Sequence, residues 1–126
     1  MKDWVVIDER SQGLSKLLVI SRKDDKDRHY IDFGEATYSA GTGYNPEYES
    51  DVVRYHYESL TTPDSTYDYD MNTRSKTLRK QRVVVGDFNR ENYHTERKWA
   101  KAKDGTLIPV SIVHRKDLKV SPDTPL

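Results

Sequence analysis

A chain of 126 residues, 34% hydrophobic and 33% charged, has the size of one small domain and is too short for a complete large enzyme. Its 21 Lys and Arg balance 21 Asp and Glu, so no global charge drives it toward nucleic acid or an acidic membrane. With no Cys, disulfides, thiolate metal ligands and a cysteine nucleophile are excluded.

Residues 4–10 and 14–21 are two β-favouring runs joined by Ser11-Gln12-Gly13, the chemistry of an antiparallel hairpin. Seven consecutive charges over residues 22–28 read as a solvated loop, followed by a short run at 29–33 that Gly34 ends. Residues 38–48 contain Gly41, Gly43 and Pro46 and are either a broken strand or a loop with aromatic anchors. Over 51–60 the parity is clear: Val53, Tyr55 and Tyr57 alternate with Arg54, His56 and Glu58, the period of a half-buried strand. Alternation resumes over 65–71 with Tyr67 and Tyr69, turns at 72–75, and continues as a strand predicted for 77–85. Residues 86–94 are polar, lack periodicity and are predicted to be a connector at a domain boundary. Beyond it, 96–103 and 106–115 form a hairpin through Asp104-Gly105, and a tail with Pro122 and Pro125 is expected to have no partner. No segment longer than about two turns has helical periodicity, so the fold class is all-β with antiparallel sheets.

The chemistry-bearing patterns are sparse. Gly-x-Ser-x-Gly is absent and the four histidines, His29, His56, His94 and His114, are scattered, so no serine triad can be assembled. Asp68-x-Asp70-x-Asn72 imitates a calcium loop but has Thr73 and Arg79 where that loop needs glycine and a bidentate acid. Asp32-Phe33-Gly34 stands without the other parts of a kinase site, and Gly41-x-Gly43 lacks the third glycine of a phosphate cradle. Arg74, Lys76, Arg79, Lys80 and Arg82 make one basic patch. With Tyr67 and Tyr69 as stacking platforms it could meet single-stranded nucleic acid, but positive charge guarding an edge strand is the stronger reading. Catalytic, substrate-binding and metal-ligating residues are therefore all expected to be absent, and no cofactor is implied. The longest apolar runs, such as Leu17-Leu18-Val19-Ile20 and Val83-Val84-Val85, fall far below the roughly 20 residues of a membrane span. The opening Met1-Lys2-Asp3-Trp4 does not resemble a secretion signal, so a cytoplasmic location is expected.

Three blocks, taken together, resemble one family. Trp4-Val5-Val6-x-x-Glu9-Arg10-x-x-Gly13-Leu14 is similar to a late propeller region of the prolyl oligopeptidase family of serine peptidases. Asn45-Pro46-Glu47-Tyr48, Arg54-Tyr55, Ser59-Leu60-Thr61-Thr62-Pro63 and Tyr67-Asp68-Tyr69-Asp70-Met71-Asn72-Thr73 resemble the last blade in its oligopeptidase B branch. Glu96-Arg97-x-Trp99-Ala100-x-Ala102-x-Asp104-Gly105-x-x-x-Pro109-Val110-Ser111-x-Val113 is similar to the opening of the hydrolase domain. Two departures stand out: Val85 replaces the usual proline before the connector glycine, and Asp87-Phe88 swaps the usual order, leaving the hinge geometry open. The Lys103-Asp104-Gly105-Thr106 and Ile112-Val113-His114 segments also resemble the proline-specific branch.

The resemblance implies a longer parent, a seven-bladed β-propeller joined to an α/β-hydrolase domain with a Ser-Asp-His triad that lies outside these residues. Residues 1–85 would then be the last, partial blades, 86–94 the interdomain connector and 95–126 the first strands of the peptidase domain. The implied activity of the parent is hydrolysis of short peptides after Arg or Lys, with the propeller limiting substrate size and this portion inactive alone. Implied partners are short peptide substrates, the remaining blades and the hydrolase domain, with no nucleic acid and no membrane. Bare sheet edges make self-association of the isolated piece an expectation. The competing readings are a free-standing β-rich module that binds peptides or proteins by edge pairing, and a piece of a proline-specific enzyme.

Overall fold

Nine strands follow one another in the computed structural model, which describes residues 1–119 and 121–124: β1 (Trp4–Ser11), β2 (Leu14–Ser21), β3 (Arg28–Tyr30), β4 (Tyr38–Thr42), β5 (Val52–Ser59), β6 (Ser65–Asp70), β7 (Lys76–Gln81), β8 (Tyr93–Lys101) and β9 (Leu107–Arg115). They make a three-stranded sheet in the order β1-β2-β3, a four-stranded sheet β4-β5-β6-β7 and a two-stranded sheet β8-β9, with every pairing antiparallel. A four-stranded meander is the repeating unit of a β-propeller. The all-β expectation is met. The described residues contain no helix long and apolar enough to cross a membrane.

The first hairpin turns as its sequence requires. Ser11 pairs with Leu14, leaving Gln12 and Gly13 as a two-residue loop in which both have positive φ, 54° and 77°. That is the primed turn whose twist suits adjoining strands. Gly13 is constrained a second way, because a Cβ there would sit 2.9 Å from Arg97 Nη2 and 3.2 Å from Pro109 Cγ. The tip of the first hairpin is thus pressed against the β8–β9 hairpin, where an Arg97 guanidinium N–H donates to the Gln12 carbonyl.

The core lies between the first two sheets, which meet where β2 packs on β4. β2 contributes Leu17 and Val19, β5 contributes Val53, Tyr55 and Tyr57, and Tyr69 and Met71 come from β6 and its end. Arg54, His56 and Glu58 of β5 face solvent, so the predicted parity holds residue by residue. Polar links stitch the margins: the Trp4 indole N–H donates to Asp51 Oδ1 at 3.2 Å, and the Thr42 hydroxyl to Asp8 Oδ2 at 2.7 Å.

Several predicted boundaries move, each for a reason of pairing. The strand expected over 77–85 ends at Gln81, and Val83, Val84 and Val85 are exposed outside any strand. Among the described residues its only strand neighbour is β6. The Arg82 N–H still reaches the Asp64 carbonyl at 2.8 Å, and beyond that the partner chain has turned away. The run expected over 29–33 pairs only as far as Tyr30; Ile31 then makes one last bond to the Leu17 carbonyl, and Ile31 and Phe33 turn into the core. Of the two options for 38–48, the broken strand is correct. Past Thr42 the Asn45 side chain takes over the ladder, accepting the Arg54 N–H at 2.7 Å and donating to the Arg54 carbonyl at 2.9 Å. The stretch predicted as featureless over 86–94 contains a single 3-10 turn, Arg90–Asn92, capped by Asn89, and β8 already begins at Tyr93. The tail expected to lack a partner starts with one, since the Lys116 N–H donates to the Asn92 carbonyl at 2.8 Å. Pro125, predicted as part of that tail, lies outside the described residues.

Candidate functional site

The densest convergence of polar groups is around Glu35, a residue the sequence did not single out. It sits in the link between β3 and β4, and the end of β5 with the following turn closes over it. Its Oε1 accepts from Ser59 Oγ at 3.0 Å and Thr61 Oγ1 at 2.9 Å, while Oε2 accepts from Thr62 Oγ1 at 2.9 Å and from the Tyr57 hydroxyl. Ser59 Oγ in turn accepts the backbone N–H groups of Thr61 and Thr62 at 3.1 and 2.8 Å, fixing the turn that aims the hydroxyls. Such serine-to-backbone bonding is how a Ser-x-Thr-Thr segment leaves a strand.

Two opposed effects set the ionisation of this carboxylate. Burial favours the neutral acid, but hydrogen bonds from Tyr57, Thr62, Thr61 and Ser59 together outweigh it and hold Glu35 below its ordinary value. The Tyr57 phenol is pushed well up, first by burial and then by donating to that carboxylate. A carboxylate with both oxygens engaged and a lowered pKa is a poor general base. The cluster is therefore a structural knot that ties the β3–β4 link to β5, and Ser59, Thr61 and Thr62 are the hydroxyl residues of the recognised Ser-Leu-Thr-Thr-Pro block.

The acids of the calcium-loop mimic are committed elsewhere. Asp68 meets the Arg54 guanidinium at 2.7 and 2.9 Å and Arg79 at 2.9 Å, a pairing that, led by the Arg54 hydrogen bond, lowers its pKa. Arg79 reaches it because β7 carries a bulge: Thr66 pairs with Lys80 and Tyr67 with Leu78, leaving Arg79 between them. Asp70 Oδ1 accepts the Asn72 and Thr73 N–H groups at 2.9 and 2.8 Å and shapes the turn after β6.

In the basic patch, Arg74 lies in the turn before β7, Lys76, Arg79 and Lys80 on β7, and Arg82 just past its end; β7 is an edge strand with all six residues exposed. Arg74 pairs with Asp27 at 3.3 Å, Lys76 donates to the Asp32 carbonyl at 2.8 Å and Arg79 is held by Asp68. The suggested stacking platforms are not available. Tyr69 is buried and Tyr67 is stacked on Tyr55 at 5.4 Å, because their parity points them into the core with Val53 and Tyr55. Edge protection is the reading that survives.

Phe33 of the Asp-Phe-Gly triplet is a core aromatic, 4.7 Å from Tyr38 and 5.3 Å from Tyr57 between ring centroids. Gly43 of the Gly-x-Gly pair gives room to the His56 ring, which a Cβ would meet at 3.2 Å. Among the described residues no histidine is hydrogen-bonded to a serine. His29 Nε2 meets the Tyr69 hydroxyl at 2.8 Å, His56 Nδ1 meets Thr66 Oγ1 at 3.4 Å, and His114 Nδ1 meets the Arg115 carbonyl.

Comparison with known proteins agrees with this geometry. The profile described as "Prolyl oligopeptidase, N-terminal beta-propeller domain" matches residues 1–82. The chain is 43% identical over 114 residues to dipeptidyl aminopeptidase BI of Pseudoxanthomonas mexicana, covering 90% of this chain and 15% of that protein. It is 26% identical over 113 residues to protease 2 of Moraxella lacunata, covering 90% of this chain and 16% of the relative. Among solved structures, oligopeptidase B from Leishmania major superposes with a TM-score of 0.79 at 31% identity, covering 95% of this chain and 18% of that one. The chain thus spans about a sixth of the length of the curated relatives it matches. The blade-like meander and the propeller profile over residues 1–82 identify the chain as a member of the prolyl oligopeptidase family, carrying part of its N-terminal β-propeller domain.

Proposed function

We propose that these residues are the last blades and the first hydrolase strands of a serine oligopeptidase that cleaves short peptides after Arg or Lys. In this reading residues 1–85 belong to the propeller, 86–94 form the connector and 95–126 open the peptidase domain. The observation that carries it is a difference in extent: the propeller profile stops at residue 82, whereas the oligopeptidase B superposition covers 95% of the chain and so includes strands beyond it. The portion itself acts as scaffold, restricting which peptides reach a catalytic centre formed by other parts of the parent, and performs no bond chemistry. The parent works in the cytoplasm.

The experiment has two arms. The 126-residue chain, given a blocked peptide reporter with Arg before the scissile bond, shows no turnover; hydrolysis abolished by a serine-directed inhibitor refutes the scaffold assignment. A parent protein containing these residues cleaves the same reporter and is inactivated by that inhibitor. The 43% identity to a protein named a dipeptidyl aminopeptidase favours a second specificity, release of dipeptides from free N-termini. A reporter with a free N-terminal dipeptide, cleaved in preference to the blocked one, selects that reading.

A further inference from the structure

We propose that His94 and His114 form a two-histidine chelate for a divalent transition-metal cation on one face of the β8–β9 hairpin. The two residues are direct cross-strand partners, so their side chains rise from the same face. The phase of the ladder sets their spacing. The Lys116 N–H donates to the Asn92 carbonyl and the Ala102 N–H to the Thr106 carbonyl, both at 2.8 Å. Position 94 lies an even number of residues from each, in the hydrogen-bonded class of antiparallel pairs with Cα atoms about 5.5 Å apart.

The rings already stand at chelating distance. Their centroids are 5.4 Å apart with the planes inclined at 62°. Two imidazoles sharing one tetrahedral ion through metal–nitrogen bonds of about 2.0–2.1 Å place their centroids about 5.2 Å apart. The rings now meet edge to face, so chelation requires the side chains, His94 above all, to turn until both Nε2 lone pairs point at one ion. His114 is also preset as a ligand: its Nδ1 lies 2.9 Å from the Arg115 carbonyl, which can only accept, so Nδ1 carries the proton and the Nε2 lone pair is left for a metal. Among the described residues neither ring nitrogen of His94 has a protein hydrogen-bond partner, and its residue is exposed.

The flanking pairs in the same phase are Glu96 with Ile112 on one side and Asn92 with Lys116 on the other, with Lys98 and Val110 one step further along, so the lysines lower the affinity for a cation. The Glu96 carboxylate is engaged by Lys98 at 3.1 Å, and no group of three or more ligating side chains is placed to hold an ion among the described residues. Water therefore completes the shell, affinity is modest, and selectivity follows imidazole preference, with Cu2+, Ni2+ and Zn2+ ahead of Mg2+ and Ca2+. His29 and His56 are engaged by Tyr69 and Thr66 on other strands and do not take part.

The test is titration of the 126-residue chain with Ni2+ near neutral pH in a non-coordinating buffer. One ion binds per chain, His94→Asn and His114→Asn each weaken binding roughly tenfold or more, and His56→Asn leaves it unchanged. Binding that persists in either of the first two variants, or disappears in the third, overturns the proposal. Should either hairpin variant misfold, the unsubstituted chain decides: substoichiometric Ni2+ must broaden the imidazole NMR signals of His94 and His114 first. Broadening led by His29 or His56 refutes the assignment.

Discussion

Replacing Glu35 by alanine removes the one acceptor shared by four hydroxyls, and the size of the loss follows from which of them can turn to another partner. Tyr57, Thr61 and Thr62 are 5%, 7% and 3% exposed, so their hydroxyls have little access to water, whereas the half-buried Ser59 can turn its O–H to water or to Thr61 Oγ1 at 3.5 Å. A buried donor left without an acceptor costs about 1–3 kcal/mol. Three such donors, relieved in part by hydroxyl rotation and by the opening that alanine creates, give an expected loss of about 2–4 kcal/mol. This is a large share of the roughly 5–15 kcal/mol that holds a domain together. Glu35→Gln keeps the shape and one acceptor oxygen and should recover about half of the loss. Urea unfolding followed by far-UV circular dichroism measures both. The pH dependence supplies a second signature. The folded carboxyl titrates below its ordinary 4.5, so the knot's contribution is complete above that value and is lost as pH falls from there through the lower folded pKa. Glu35→Gln should flatten that part of the acid limb. A Glu35→Ala chain within about 0.5 kcal/mol of the parent, with an unchanged acid limb, would refute the account of the knot.

Other substitutions separate the core from surfaces left bare. Leu17→Ala, at a side chain with 0% exposure between the two sheets, should cost about 2–5 kcal/mol, while Trp99→Ala, at 45% exposure on the β8–β9 hairpin, should change the unfolding midpoint little in this chain. Equal losses at the two sites would show that the hairpin is as firmly packed as the core. Gly13→Ala meets both a φ of +77° and the Arg97 and Pro109 side chains, and should destabilise by about 1–2 kcal/mol while increasing amide exchange in β8 and β9. Unaltered exchange there would mean that the tip contact does not anchor the hairpin. Trp99, Leu107, Ile108, Val110 and Val113 are all exposed on one two-stranded sheet, so sedimentation of the isolated chain should give a mass that rises with concentration. A constant monomer mass over a wide concentration range would contradict that expectation.

The sequence determined what depends on near neighbours along the chain. Alternation over β5 announced that Val53, Tyr55 and Tyr57 share a buried face, because successive side chains of a strand point to opposite sides. Gln12-Gly13 and Asp104-Gly105 marked two turns, since glycine takes the positive φ that tight hairpins need. What required tertiary structure is where strands stop and which distant groups satisfy one another. Val83, Val84 and Val85 are strand formers by composition, yet β6 offers them no ladder, and a strand without a partner has its hydrogen-bonding groups unmatched. Tyr67 and Tyr69 looked free to stack on a ligand until β5 was laid beside them. Glu35 remained hidden for the same reason. Its acceptors are filled from as far as 27 residues away, and nothing about a lone glutamate between glycine and alanine tells which hydroxyls the folded chain will bring to it.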